Sequence, residues 1–361
     1  MKYTLFFKEA TPTDYPKLGG KGASLASMSA AQFPVPIGFC ITTDAYQEVL
    51  ELSGLKQQIL ERVKDISFDN MAQLEHISSE IREIVLKMAM PTSISTAIKT
   101  AYQELCSLTN SNDDLPVAVR SSANAEDMPD ASFAGQQDTY LWVVGENAVL
   151  EHVKRCWASL FTARAINYRN DHKIAEDEVL MSVVVQKMVN AKCAGVAMTL
   201  NPLTGDRSKI VIDASWGLGE AVVSGEVTPD NFLVDKVMLT VLKSNIQNKH
   251  IEHIPDRATK KVIINEINDT RATQPSLTPD EIKNLCKMAK VVEKHYGCPQ
   301  DIEWAIDFDL PEGENLTLLQ SRPETVWSQK KVETKAATTP SFTFGMEGLV
   351  NSLLNPLASK K

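Results

Sequence analysis

The 361 residues contain no run approaching the roughly 18 apolar residues of a membrane span, so no transmembrane helix is predicted. Six cysteines, at 40, 106, 156, 193, 286 and 298, form neither a CxxC pair nor a metal-ligand spacing. Their scatter predicts reduced thiols rather than a disulfide framework or a zinc site. A basic excess is missing too: 37 Lys and Arg stand against 46 Asp and Glu, for a net charge of −9. That balance argues against a polyanionic nucleic-acid partner, while local basic spots can still hold small anions. The opening MKYTLFFKEATP has an apolar stretch that Lys8 and Glu9 interrupt, too short for a secretory segment, so a cytoplasmic location is expected. No internal repeat is visible.

What is present is an ordinary globular composition, 43% hydrophobic and 23% charged, in a chain long enough for two or three packed subdomains. After LGGKG, residues 23 to 31 predict a short helix, PVPIGFCITT a strand, and Thr43 or Asp44 the cap of the next helix. From Asn147 to Asn170 the apolar Leu150, Val153, Trp157, Leu160 and Phe161 recur at three and four residues, predicting one helix with His152 and His172 on or just beyond its polar side. MSVVVQKMV and AGVAMTL flank NAKC and suggest an antiparallel hairpin. KIVIDASWG and DNFLVDKVMLTVL add strands. Thr278, Pro279 and Glu281 form a capping box ahead of the stripe Ile282, Leu285, Ala289 and Val292. Two more strands, Asp301 to Phe308 and Leu316 to Arg322, surround the turn PEGEN. The expected class is α+β with largely antiparallel sheets, in subdomains 1–190 and 191–327. Beyond Trp327, SQKKVETKAATTP reads as a linker, and Met346, Leu349, Val350, Leu353 and Leu354 recur at helical spacing. Residues 328–361 are therefore expected to form a linker and tail that either docks a partner or folds back.

Several segments could carry chemistry. Alternation along a strand puts Asp301, Glu303, Ala305 and Asp307 on one face, and Gln320 with Arg322 on a face of its partner. Carboxylates with an amide oxygen suit Mg²⁺, which takes further oxygens from phosphates and water. Arg322 adds a fork for a phosphate; an alternating acidic strand by itself usually marks only a solvated face. Lys21 sits in a Gly-Gly-Lys-Gly turn before a helix, a place that favours anions but also occurs as a plain tight turn. The pattern is not GxxxxGK[ST]. Arg120 follows the apolar PVAV and precedes SSANAED, as a strand-end cation for phosphoryl oxygens or an ion-pair partner of Glu126 or Asp127. SFAGQQDT, from Ser132 to Thr139, reads as a small-residue loop able to close over phosphates. WGLGEAVVSG misses the dinucleotide fingerprint because Val222 stands where the third glycine belongs, leaving Glu220 as a nearby acid or an exposed loop residue.

In this order, LGGKGASL, PVPIGF, VAVRSSANAED, SFAGQQDTYL, NPLTGD, WGLGEAVVSGEVTPD and the pair DIEWAI and LLQSRPET resemble the ATP-binding domain of the phosphoenolpyruvate synthase and pyruvate phosphate dikinase family, shared with rifampicin phosphotransferases. The resemblance runs from about residue 10 to 327. It implies an ATP-grasp fold, two α+β subdomains holding ATP between them, with ATP and Mg²⁺ as cofactors. It also implies that Lys21, Arg120 and Arg322 act on the phosphates during transfer. Gly135 and Thr139 hold the phosphate tail, and Gln186, Met188 and Val189 line the adenine pocket. Glu220 and Asp301 stand near the nucleotide, and Glu303 with Gln320 hold Mg²⁺. Such a site works mainly by positioning and charge stabilisation.

The sequence departs from the family in one respect. None of His76, His152, His172, His250, His253 and His295 has the Gly-rich, Thr/Ser-His setting of the family's phosphorylated histidine. The resemblance therefore implies a partner subunit carrying that histidine, as in phenylphosphate synthase, with phenol, ATP and water giving phenylphosphate, AMP and phosphate. The alternatives are an ATP-binding portion of a single-chain phosphoenolpyruvate synthase or rifampicin phosphotransferase, and a non-catalytic nucleotide sensor.

Overall fold

The computed structural model describes residues 2–111, 115–123, 138–175 and 179–327, and the backbone of 127–128 and 131–132. Gly135 and the tail 328–361 lie outside the described residues, as do the side chains of Glu126 and Asp127. The architecture is α+β, with antiparallel sheets and helices.

Strands β1 (Thr4–Phe6), β2 (Gly38–Ile41) and β3 (Val117–Ala123) precede the two-residue pair β4 (Asp127–Met128) and β5 (Ala131–Ser132). With β6 (Thr139–Val143) and β7 (Met181–Lys187), the first sheet runs β1-β2-β7-β3-β6. The second sheet runs β11-β10-β9-β8-β14-β15, from β8 (Ala191–Met198), β9 (Lys209–Trp216), β10 (Asp230–Asp235), β11 (Val241–Asn245), β14 (Gln300–Asp307) and β15 (Leu316–Pro323). A separate hairpin pairs β12 (Ile251–Asp256) with β13 (Lys261–Glu266).

Helix α1 (Gly19–Ala30) starts four residues earlier than its apolar spacing suggested, so GGKG is the helix's own first turn. Next, α2 (Thr43–Leu52) takes Thr42 as its N-terminal cap residue, whose hydroxyl bonds Lys2 O instead of the helix. Helices α3 (Leu55–Lys64), α4 (Met71–Lys87) and α5 (Thr92–Leu108) follow. The single helix expected over 147–170 is two, α6 (Glu146–Ser159) and α7 (Ala163–Asp171). Thr162 makes the break, because its side chain accepts a bond from Ala165 N and starts a new helix there. The short α8 (Glu220–Val223) follows β9, and α9 (Pro279–Tyr296) carries both bonds of the Thr278–Glu281 capping box, as expected.

The expected hairpin around NAKC is absent. β7 ends in the first sheet and β8 begins the second, so residues 188–190 pass between sheets. Each strand is already flanked by other neighbours: β7 by β2 and β3, β8 by β9 and β14. Alternation sorts the cores. Val183 and Val185 of β7 enter a core with α2 to α7, while Val184 enters another with α1, α9 and the second sheet. Ile302, Trp304 and Ile306 of β14 lie in that second core, as their spacing predicted.

Candidate functional site

Val117 and Val119 point into the first core, so Ala118, Arg120 and Ser122 share the opposite face of β3. Arg120 is thus mid-strand rather than at a strand end. Ser122 fastens α1 to this face: its hydroxyl donates to Leu18 O at 2.8 Å and accepts from Gly22 N at 3.0 Å. Gly19 has φ +66°, and a Cβ there would stand 2.1 Å from the Ser122 carbonyl oxygen. Only glycine lets α1 begin this close to β3. Lys21, in the helix's first turn, donates from Nζ to Ser121 O at 3.1 Å. Its amine is therefore brought beside Arg120 by backbone docking.

In the second sheet Glu303 stands opposite Gln320 and Asp301 opposite Arg322. A bulge follows, because Trp304 pairs with Leu318 and Leu319 is the extra residue. Arg120 spans from β3 to this pair. Its Nη2 donates to Glu303 Oε2 at 2.7 Å and to Gln320 Oε1 at 3.0 Å, and its Nη1 donates to Leu319 O at 3.2 Å. The Arg120 side chain is 12% exposed and that of Glu303 30%. Burial pushes the Glu303 carboxyl upward. Arg120, by charge and hydrogen bond, then Lys21 and Arg322 by charge, outweigh burial and hold it below the usual range. Of the three expected cations, Arg120 bonds this carboxylate directly, while Lys21 is held on Ser121 O and Arg322 lies against Asp301. At the outer end of the pair Arg322 Nε lies 3.5 Å from Asp301 Oδ2. Burial raises the Asp301 carboxyl, and Glu324 adds to the rise against the pull of Arg322.

The remaining candidates lie around this centre. Thr139 is exposed and stands opposite Arg120 in register. Gln186 is buried opposite Ala118 and donates from Nε2 to Pro36 O at 3.3 Å. Met188 and Val189, in the connection between sheets, line a cavity of about 260 Å³ with Pro36, Lys187, Asp307 and Thr317. Glu220 opens α8 and is engaged elsewhere: its carboxylate lies 3.6 Å from His253 Nδ1, whose Nε2 lies 3.1 Å from Glu226. Asp230, from the VTPD segment, forms a fully buried pair with Lys249 at 2.7 Å and binds Ser276, which makes it a structural acid.

The arrangement fits a Mg²⁺-bound triphosphate. Glu303 and Gln320 already aim two oxygens at a single positive nitrogen, as they would at a metal. Among the described residues no group of three or more His, Cys, Asp or Glu could hold a metal. A hard cation here would draw its remaining oxygens from phosphate and water. Arg120 Nε is buried with no hydrogen-bond partner among the described residues, an open donor for a phosphate oxygen. Sequence reasoning missed the Leu319 carbonyl, since a main-chain group leaves no residue signature.

The pyruvate phosphate dikinase AMP/ATP-binding domain model matches residues 15–341, and the chain belongs to that family. It is 42% identical over 355 residues to a probable phosphoenolpyruvate synthase of Staphylothermus marinus, covering 93% of this chain and 43% of that protein. With the phosphoenolpyruvate synthase of Aeropyrum pernix it shares 43% over 358 residues, 92% of this chain and 43% of the other. A probable phosphoenolpyruvate synthase of Methanothermobacter thermautotrophicus is 42% identical over 338 residues, covering 93% and 48%. The chain thus spans less than half the length of these relatives. Among the described residues no helix is long and apolar enough to cross a membrane.

Proposed function

We propose that this domain binds Mg²⁺·ATP between its two sheets and passes the β-phosphoryl group to a histidine on a partner domain or subunit, in a dikinase-type phosphotransferase. One observation carries the reading: Arg120 reaches from the first sheet to Glu303 and Gln320 of the second, and the Lys21 amine is held on the carbonyl of the neighbouring Ser121. In this assignment residues 1–190 and 191–327 are the two lobes. Glu303 and Gln320 hold the metal, with Asp301 steadying Arg322. Thr139 and Gly135 meet the phosphate tail, and Gln186, Met188 and Val189 receive the adenine. The bound nucleotide supplies the phosphoryl group. The chain's own cations neutralise charge as it moves, which is where most catalytic stabilisation arises in such transfers.

The relatives are named phosphoenolpyruvate synthases, which supports pyruvate as the final acceptor, with water taking the γ-phosphoryl group as phosphate and AMP as the other co-product. Nothing among them favours phenol, so the phenylphosphate expectation is set aside. ATP labelled at the β-phosphorus, incubated with Mg²⁺, this chain and a histidine domain of a phosphoenolpyruvate synthase, should label that domain and release AMP. Release of ADP that retains the label, with a small molecule phosphorylated and no histidine domain needed, would sink the reading.

A further inference from the structure

The second sheet ends in β15, and an edge strand leaves outward backbone groups to be satisfied. Three contacts cover this edge: Leu318 N donates to Pro34 O at 2.8 Å, Arg120 binds Leu319 O, and Ser24 Oγ donates to Ser321 O at 2.7 Å. The third joins two parts of the site. Ser24 lies one turn beyond Lys21 on α1, roughly 4.5 Å along the axis, and Ser321 lies between Gln320 and Arg322. A mid-helix serine commonly folds back onto a carbonyl of its own preceding turn. Here it reaches out to a strand 297 residues away.

The contact is braced on both sides. Tyr296, at the end of α9, donates from its hydroxyl to Ser24 O at 3.2 Å and lies 3.1 Å from Ser24 Oγ. Ser321 donates from its own hydroxyl to the buried Gln300 Oε1 at 2.8 Å. Helix α1, strand β15 and helix α9 are therefore tied at one point, which lies one residue from Gln320 and from Arg322.

We propose that Ser24 is a positioning residue. Its bond to the Ser321 carbonyl, braced by Tyr296, sets the distance from the Lys21 amine to the Gln320 amide and the Arg322 guanidinium. This inference rests on the Mg²⁺·ATP reading of the site. A nucleotide whose outer phosphates reach all three groups feels that distance, whereas AMP, with its single phosphate, does not.

The test is calorimetric titration of the whole chain with Mg²⁺·ATP and, separately, with AMP. Ser24→Ala should weaken Mg²⁺·ATP roughly three- to tenfold, the scale of one lost hydrogen bond, and leave AMP affinity unchanged. Ser24→Thr, which keeps the hydroxyl, should restore the ATP value. On a Lys21→Met background Ser24→Ala should add nothing, because coupled residues are not additive. Equal loss for both nucleotides, full additivity with Lys21→Met, or unchanged ATP affinity would overturn the proposal while leaving the site reading intact. Should the wild-type chain bind neither nucleotide, the site reading itself falls and takes this inference with it. If Ser24→Ala fails to fold by circular dichroism, Tyr296→Phe makes the same ATP-against-AMP comparison with a smaller expected loss, about twofold.

Discussion

Two arginines face the same strand pair, and they are held in opposite ways. Arg120 reaches across from the first sheet, is 12% exposed, and donates at 2.7 Å, 3.0 Å and 3.2 Å to three acceptors. Arg322 springs from β15 itself, is 47% exposed, and has one carboxylate at 3.5 Å. The first is part of the scaffold as well as the site, so its removal strands a carboxylate between two sheets. The second is anchored loosely and can follow a ligand. Buried, multiply bonded charges resist loss, while exposed pairs contribute little to stability.

Arg120→Ala should have the largest effect, because it removes the contact between the sheets as well as the phosphate donor. Denaturant unfolding should show a loss of about 2–3 kcal/mol from hydrogen bonds to a charged group, and Mg²⁺·ATP binding should disappear from calorimetry. Adding Glu303→Leu to an Arg120→Met chain should recover much of the stability and none of the binding, which would separate the scaffold role from the ligand role.

Arg322→Ala should divide the two properties differently. Labelling of the histidine domain should fall about 100- to 1,000-fold, while unfolding stays within about 0.5 kcal/mol of wild type. Unchanged labelling would remove Arg322 from the site.

The two carboxylates opposite these arginines should also respond to pH with opposite signs. Glu303 is depressed in the folded chain, so its stabilisation is present above the unfolded value and fades as pH falls through the folded one. Glu303→Gln should therefore be less stable than wild type at neutral pH, with the gap closing in acid. Asp301 is raised, so its charged form disfavours folding above the folded value, and this cost vanishes below the unfolded one. Asp301→Asn should be slightly more stable than wild type at neutral pH and equal to it in acid. Unfolding curves between pH 3 and 8, about the range spanning ordinary carboxylates and neutrality, would show both trends.

Much of β14 and β15 was legible from alternation, because a period of two assigns faces without knowledge of any neighbour. Ile302, Trp304 and Ile306 went inward, as their spacing predicted, while the register that sets Glu303 opposite Gln320 was decided by the fold. The capping box of α9 was legible for the same reason, being confined to four residues. The hairpin expected around NAKC does not form, and the sequence hides this because a short connection between apolar strands looks alike whether they pair or part. Val184 and Cys193 are buried in one core although their strands sit in different sheets. Arg120 offered Glu126 and Asp127 as nearby partners, whose side chains lie outside the described residues; among the described residues it bonds Glu303, 183 residues away.

The amino-acid order alone indicated most of the elements, the buried faces and the chemical types gathered for a phosphate-bearing ligand, since these depend on periodicity, capping and side-chain character over short spans. Tertiary structure decided which sheet each strand joined, that Lys21 begins a helix docked on β3, and that Leu319 and Ser321 offer main-chain carbonyls to Arg120 and Ser24. Those outcomes depend on contacts between residues far apart in the chain, and no local pattern encodes a distance across a cleft.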